Sequence, residues 1–198
     1  TGVAGHGLAG VNTNGRVDAT FKPGMGLSGS AGFGVNGIAV QTDGRILITG
    51  GFGSFNGTNR NNFARLNIDG SLDTSFDVGS GLDAGGWSVT VQPDGKIIIG
   101  GDFNSYNGVT RSRLARVNTN GSLDTSYMAA NGGNSIGGGG GIIELKLQPD
   151  GKVVICGSFI QVAGVARPYV ARMNADGTLD TGFNTGSGPN IPAYRLAL

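Results

Sequence analysis

The sequence has one cysteine (Cys156), one histidine (His6) and one tryptophan (Trp87). A single cysteine excludes an intrachain disulfide framework and a multi-cysteine zinc site. A single histidine leaves almost no material for a histidine metal centre or a Ser-His-Asp triad. Cys156 lies in Val-Val-Ile-Cys-Gly and reads as a small apolar residue of a strand. Charged residues make up only 14% of the chain, the net charge is +1, and the basic side chains are scattered singly. Without a basic stripe or an amphipathic basic helix, nucleic acid and anionic membrane are poor partners. No apolar run approaches the about 18 residues of a membrane helix.

What is abundant is glycine, at 40 of 198 residues. Glycine in a helix costs about 1 kcal/mol relative to alanine, so this content argues against helices. Together with asparagine and aspartate it suits a chain that turns often.

The turns recur. Gln-x-Asp-Gly-(Lys/Arg) followed by a β-branched run occurs at Gln41–Ile48, Gln92–Ile99 and Gln148–Ile155, spaced by 51 and 56 residues. Asn-x-(Asp/Asn)-Gly-x-(Leu/Val)-Asp-(Thr/Ala) begins at Asn12, Asn67, Asn118 and Asn174 and closes on Phe21, Phe76, Tyr127 and Phe183. Two motifs that keep step over three periods define a tandem repeat. Asp-Gly and Asn-Gly between β-formers read as type I′ hairpin turns, which gives four short antiparallel strands per unit. The strand after each first turn (Ile46–Ile48, Ile97–Ile99, Val153–Ile155) is apolar on both faces and must be covered on both.

A β-propeller meets that demand, because its four-stranded blades stack face to face. A β-solenoid fits less well, since its coils are usually shorter and parallel. The expected architecture is therefore all-β, with blades at 35–76, 86–127 and 141–183. A partial blade at 8–21 would supply third and fourth strands. A further first strand is expected at 193–198, with Tyr194, Leu196 and Leu198 in the places of Ile38 and Val40. This pattern reads as part of a longer array, so the missing signal-peptide organisation at its start carries no weight.

The strings Leu-Asn-Ile-Asp-Gly-Ser-Leu-Asp-Thr-Ser-Phe (66–76) and Val-Gln-Pro-Asp-Gly-Lys-Ile-Ile-Ile-Gly-Gly-Asp-Phe (91–103) resemble the delta-60 repeat family. The resemblance covers essentially the whole chain and implies a propeller in a large bacterial surface or secreted protein, hence an extracellular or cell-surface setting. It transfers no catalytic residue. Two departures are Gly10, where the other units have Arg65, Arg116 and Arg172, and an insert at 131–141.

Several motifs suggest chemistry that their context does not support. Asn67, Asp69, Gly70 and Asp73 match the end of a calcium loop, but an arginine stands where its first carboxylate belongs and would repel the cation. The glycine runs at 137–141 and 50–53 lack the Lys-Ser/Thr and following helix of a phosphate loop, and read as flexible connections. Arg65, Arg116 and Arg172 recur across the hairpin from Asp73, Asp124 and Asp180; a repeated, partly exposed structural pair is expected, contributing about 0–1 kcal/mol. No metal, cofactor or catalytic residue is expected.

Phe55 and Tyr106 share one repeat position, before Asn56-Gly57 and Asn107-Gly108; inter-blade packing is the first reading and a ligand surface the second. Trp87 faces no aromatic at the matching Gly37 and is the better candidate for blade-specific contact. The chain thus reads as a non-catalytic structural or interaction module, an adhesin or appendage component. It would meet its neighbouring repeats through the blade faces, and a protein or glycan partner through the connections 78–86, 128–141 and 184–192. A carbohydrate-binding propeller is the alternative.

Overall fold

The computed structural model describes residues 7–29, 34–128 and 136–198, and every regular element in them is a β-strand. Among these residues no helix is long and apolar enough to cross a membrane.

Three meanders repeat. In the first, β2 (Val35–Val40), β3 (Ile46–Gly50) and β6 (Phe63–Leu66) pair antiparallel with β3 central. In the second, β7 (Gly86–Val91), β8 (Ile97–Gly101) and β11 (Leu114–Val117) do the same. The third is built from β13 (Ile142–Leu147), β14 (Val153–Gly157) and β17 (Val170–Met173). The fourth strand of each blade is reduced to a single bridge: Leu66 to Leu72, Val117 to Leu123, and Met173 to Leu179. It ends there because the next aspartate folds the chain back: Asp73 Oδ1 accepts from the Ser75 amide (3.0 Å). The partial blade at 8–21 shows the matching bridge, Val11 to Val17.

Each blade also carries a small second sheet that the sequence pattern did not announce. β4 (Ser54–Phe55) and β5 (Thr58–Asn59) form a hairpin whose outer edge pairs with β1 (Leu27–Ser28) from the connection before the blade. β9 (Ser105–Tyr106) and β10 (Val109–Thr110) repeat the hairpin, with a bridge from Leu82 to Tyr106. β12 (Ile136–Gly137), β15 (Gln161–Val162) and β16 (Val165–Ala166) form the third copy. The glycine run at 137–141 is therefore no flexible link. A Cβ on Gly139 would run into the Ser158 carbonyl oxygen, so glycine there permits close backbone approach. Residues 131–135 of the insert lie outside the described residues.

The turns also differ in type from expectation. At Gln41–Arg45 the Gly44 amide bonds the Gln41 carbonyl and the Gln41 amide bonds the Arg45 carbonyl, with positive φ at Gly44 (82°) but not at Asp43. That is a type I turn with a G1 bulge rather than type I′. Aspartate is used because Asp43 Oδ1 accepts the Arg45 amide at 3.0 Å, a bond that Asp69, Asp94, Asp150 and Asp176 repeat. The true I′ turns cap the small hairpins, at Asn56-Gly57 (φ 48° and 74°), Asn107-Gly108 (48° and 73°) and Ala163-Gly164 (51° and 77°).

The core lies between blades. Leu47, Ile97 and Ile99 belong to one buried cluster, while Ile98, Val153 and Ile155 belong to the next, so the middle strand alternates between its two neighbours. This is the two-sided burial that its apolar run required. Cys156 is fully buried in the same strand of the third blade, and burial, followed by the nearby Glu144 charge, pushes its thiol up to about 11.

Candidate functional site

Two sets of side chains stand out: one that every blade repeats and one that it does not. In the repeated set, Arg65 Nε donates to Asp73 Oδ2 (2.8 Å), Arg116 Nε to Asp124 Oδ2 (2.9 Å) and Arg172 Nε to Asp180 Oδ2 (2.8 Å). Each guanidinium also lies over the aromatic that closes its motif, Phe76 at 4.2 Å, Tyr127 at 4.4 Å and Phe183 at 4.7 Å. A second cation reaches the same carboxylate from the first hairpin: Lys96 and Lys152 at 2.8 Å, Arg45 at 3.3 Å.

Burial pushes the Asp73 and Asp124 carboxyls up. Hydrogen bonds from Ser75 and Arg65, and from Lys96 and Ser126, outweigh it and hold both below the ordinary value. The Lys152 hydrogen bond leads the same effect at Asp180, which falls to about 2. Arg65 and Asp73 are only 5% exposed, so the pair is buried rather than partly exposed as expected.

What the spacing could not reveal is where the arginines end. Arg65 Nη1 donates to the Thr119 carbonyl (2.7 Å) and Arg116 Nη1 to the Ala175 carbonyl (2.9 Å), each in the second turn of the following blade. Beside these bonds the Asp77 amide donates to the Asn120 carbonyl and the Met128 amide to the Asp176 carbonyl. The Lys22 amide to Asp69 carbonyl bond continues the series at the partial blade, although Gly10 offers no guanidinium. The set is therefore a clasp between consecutive blades. Its carboxylates accept from cations on one oxygen and from backbone amides on the other. Among the described residues no group of three or more His, Cys, Asp or Glu side chains is placed to hold a metal ion. His6 lies outside the described residues.

Phe55 and Tyr106, named above as a possible ligand surface, are 0% and 1% exposed. They point into the blade interfaces, and Tyr106 donates its hydroxyl to the Gly121 carbonyl (2.5 Å). The packing reading holds for both, and neither offers a face to a ligand.

Trp87 differs. It is 39% exposed, and its Nε1 donates to Asp102 Oδ2 at 2.7 Å. Each first strand carries a bulge next to its first pair, between Val35 and Gly37, Gly86 and Ser88, and Ile142 and Glu144. Trp87 is the extra residue of that bulge, so its counterparts are Asn36 and Ile143. Gly37 matches Ser88 instead. An unpaired bulge residue is re-aimed away from the sheet, which accounts for the exposure of an aromatic within a strand.

The segment 193–198 lies beside this bulge without forming a ladder. The Ala193 amide bonds the Gly157 carbonyl, and the Leu196 amide bonds Glu144 Oε2 (2.5 Å). The latter repeats the bond from the Leu145 amide to Ser88 Oγ (3.2 Å) one blade on. The segment thus follows the stack of first strands, but Leu196 rather than Tyr194 takes the place of Ile38. A depression of about 720 Å³ lies over these bulges, lined by Val35, Asn36, Trp87, Asp102, Ile143, Ser158, Tyr194 and Arg195.

Antiparallel blades, joined to their neighbours by backbone bonds at the turns and, between the three complete blades, by the arginine clasp, define a β-propeller repeat protein. Segments 41–76, 92–127 and 148–183 match the domain of unknown function (DUF5122) beta-propeller family. Together they cover more than half of the chain, which belongs to that family. Among solved structures, one similar chain is a protein of unknown function from Bacteroides caccae. It is 11% identical, with a TM-score of 0.32, over 86% of this chain and 72% of the other. No curated protein matches.

Proposed function

We propose that the chain is a non-catalytic interaction module of a large bacterial surface or secreted protein, its repeats being of the delta-60 kind. The observation that carries this reading is the use of the recurring Arg–Asp pairs. Two of the three arginines reach across to the next blade while their aspartates hold them in place, so these charges are spent on joining blades. A repeat that invests its buried charges in rigidity leaves contact to the positions that vary, which lie in the connections and at the bulges.

A protein or glycan partner then meets the exposed connections, where Ser80 and Ser187 stand between glycines of positive φ. An adhesin or appendage component is the role such a scaffold suits. The alternative, a carbohydrate-binding propeller, is favoured by one feature, the exposed Trp87 in its depression.

The test is a pull-down against host-surface and matrix proteins together with a glycan array, using the purified chain and its Ser80→Arg and Ser187→Arg variants. Binding that either variant weakens while the melting temperature holds supports the module. Turnover in a hydrolase screen that disappears with Asp73→Asn or Asp124→Asn would overturn it.

A further inference from the structure

The bulge is the same in the three complete blades, yet the residue it presents is not: Asn36, Trp87 and Ile143, with Tyr194 at the corresponding place in the unpaired segment 193–198. The residue just after the middle strand varies likewise, as Gly51, Asp102 and Ser158. On either side of this second position the glycine before it (Gly50, Gly101, Gly157) and the phenylalanine after it (Phe52, Phe103, Phe159) hold to the repeat. Six of the eight residues lining the depression come from these varying positions. A fixed backbone device that gathers the non-repeated side chains into one concavity is how a scaffold builds a specific site.

We infer that this depression binds a pyranose unit of a glycan, which deepens the carbohydrate alternative above and rests on it. A pyranose ring offers an apolar C–H face and a rim of hydroxyls. Trp87 and Tyr194 are exposed aromatics at the depression, and such rings carry a large apolar face with a polar edge. The bond from Trp87 Nε1 to Asp102 Oδ2 fixes the indole beforehand, so little side-chain freedom is lost on binding. Asp102, Asn36 and Ser158 supply hydroxyl acceptors and donors around the aromatics.

A peptide strand fits this surface less well. β-Augmentation needs free backbone amides along a strand edge. Here Ser88 Oγ accepts the Leu145 amide and Glu144 Oε2 accepts the Leu196 amide, so a side chain of the preceding blade already takes one such amide on each of these two segments.

Because Trp87 is the only tryptophan in the sequence, its intrinsic fluorescence reports on this depression alone. The chain is titrated with cellohexaose, maltohexaose and chitohexaose, and affinities are confirmed by calorimetry. At least one sugar should shift the emission saturably. Trp87→Ala should weaken calorimetric binding by about tenfold or more, and Asp102→Asn, which preserves shape, by a smaller factor. Asp43→Asn, in an exposed turn outside the depression, should leave binding unchanged. The site assignment is overturned if no sugar shifts the emission up to about 10 mM, or if Trp87→Ala binds as tightly as the parent. Sugar binding that follows Ser80→Arg but not Trp87→Ala also overturns it, while leaving the interaction module standing.

Discussion

Replacing Asp124 by asparagine removes the charge at the centre of the second blade's clasp while keeping the shape. Asp124 Oδ2 accepts from Arg116 (2.9 Å) and Lys96 (2.8 Å), and Oδ1 accepts from the Ser126 amide and hydroxyl (3.0 and 2.6 Å). The asparagine oxygen can retain the Ser126 bonds, so the loss falls on the two cations. Hydrogen bonds to charged groups contribute roughly 1.5–3 kcal/mol, and breaking a buried ion pair costs roughly 3–5 kcal/mol. Arg116 keeps the Ala175 carbonyl and the Tyr127 ring, which places the expected loss near the lower values, about 2–3 kcal/mol. For a chain of this length that corresponds to a fall in Tm of about 5–10 °C. Because Arg116 is also the side chain that reaches the next blade, the transition should broaden as the second and third blades uncouple. The assay is thermal unfolding followed by circular dichroism, with Asp43→Asn as control. Asp43 pairs with Arg45 near the surface (side chains 49% and 42% exposed), and its Tm should match the parent. A Tm for Asp124→Asn within about 1 °C of that control would refute the clasp energetics.

Acid should act through the same carboxylates. Their folded values lie below the ordinary one, so the stability they add is complete above about pH 5 and is lost as the pH falls through 3.8 toward about 2, the Asp180 value. Urea unfolding at stepped pH should show this fall, and a stability that rises below about pH 4 would contradict it. In the third blade Ala163 occupies the left-handed turn position held by Asn56 and Asn107. Ala163→Asn should raise stability by roughly 0.5–1 kcal/mol, read from the urea midpoint. Millimolar calcium or EDTA should leave Tm unchanged, because the turn aspartates Asp69 and Asp176 already accept the amides and hydroxyls of Ser71 and Thr178. A rise of several degrees with calcium would place a metal in those loops.

The repeat and its two-sided middle strand were legible because Asp-Gly turns and β-branched runs are local signals that recur in phase. The small sheets were not, since two-residue strands such as Ser54–Phe55 have no periodicity to read. The Arg65–Asp73 pairing followed from spacing across one hairpin. Its third partner, the Thr119 carbonyl, is a backbone atom 54 residues away and carries no side-chain signature. The bulge misled the register: an added residue inside a strand looks like any other, so Trp87 was set against Gly37 rather than Asn36. Aromatic identity alone also could not tell the buried Tyr106 from the exposed Trp87; only the bulge does that.

The central claim is a division of labour, with repeated charges holding the blades together and non-repeated residues making contact. It is tested most directly by measuring oligosaccharide affinity and Tm side by side for Trp87→Ala and Asp124→Asn, well below the melting range. The account predicts that Trp87→Ala loses affinity at an unchanged Tm, whereas Asp124→Asn lowers Tm and binds as the parent does. Affinity lost in Asp124→Asn but kept in Trp87→Ala would contradict it, because the clasp would then be the binding site.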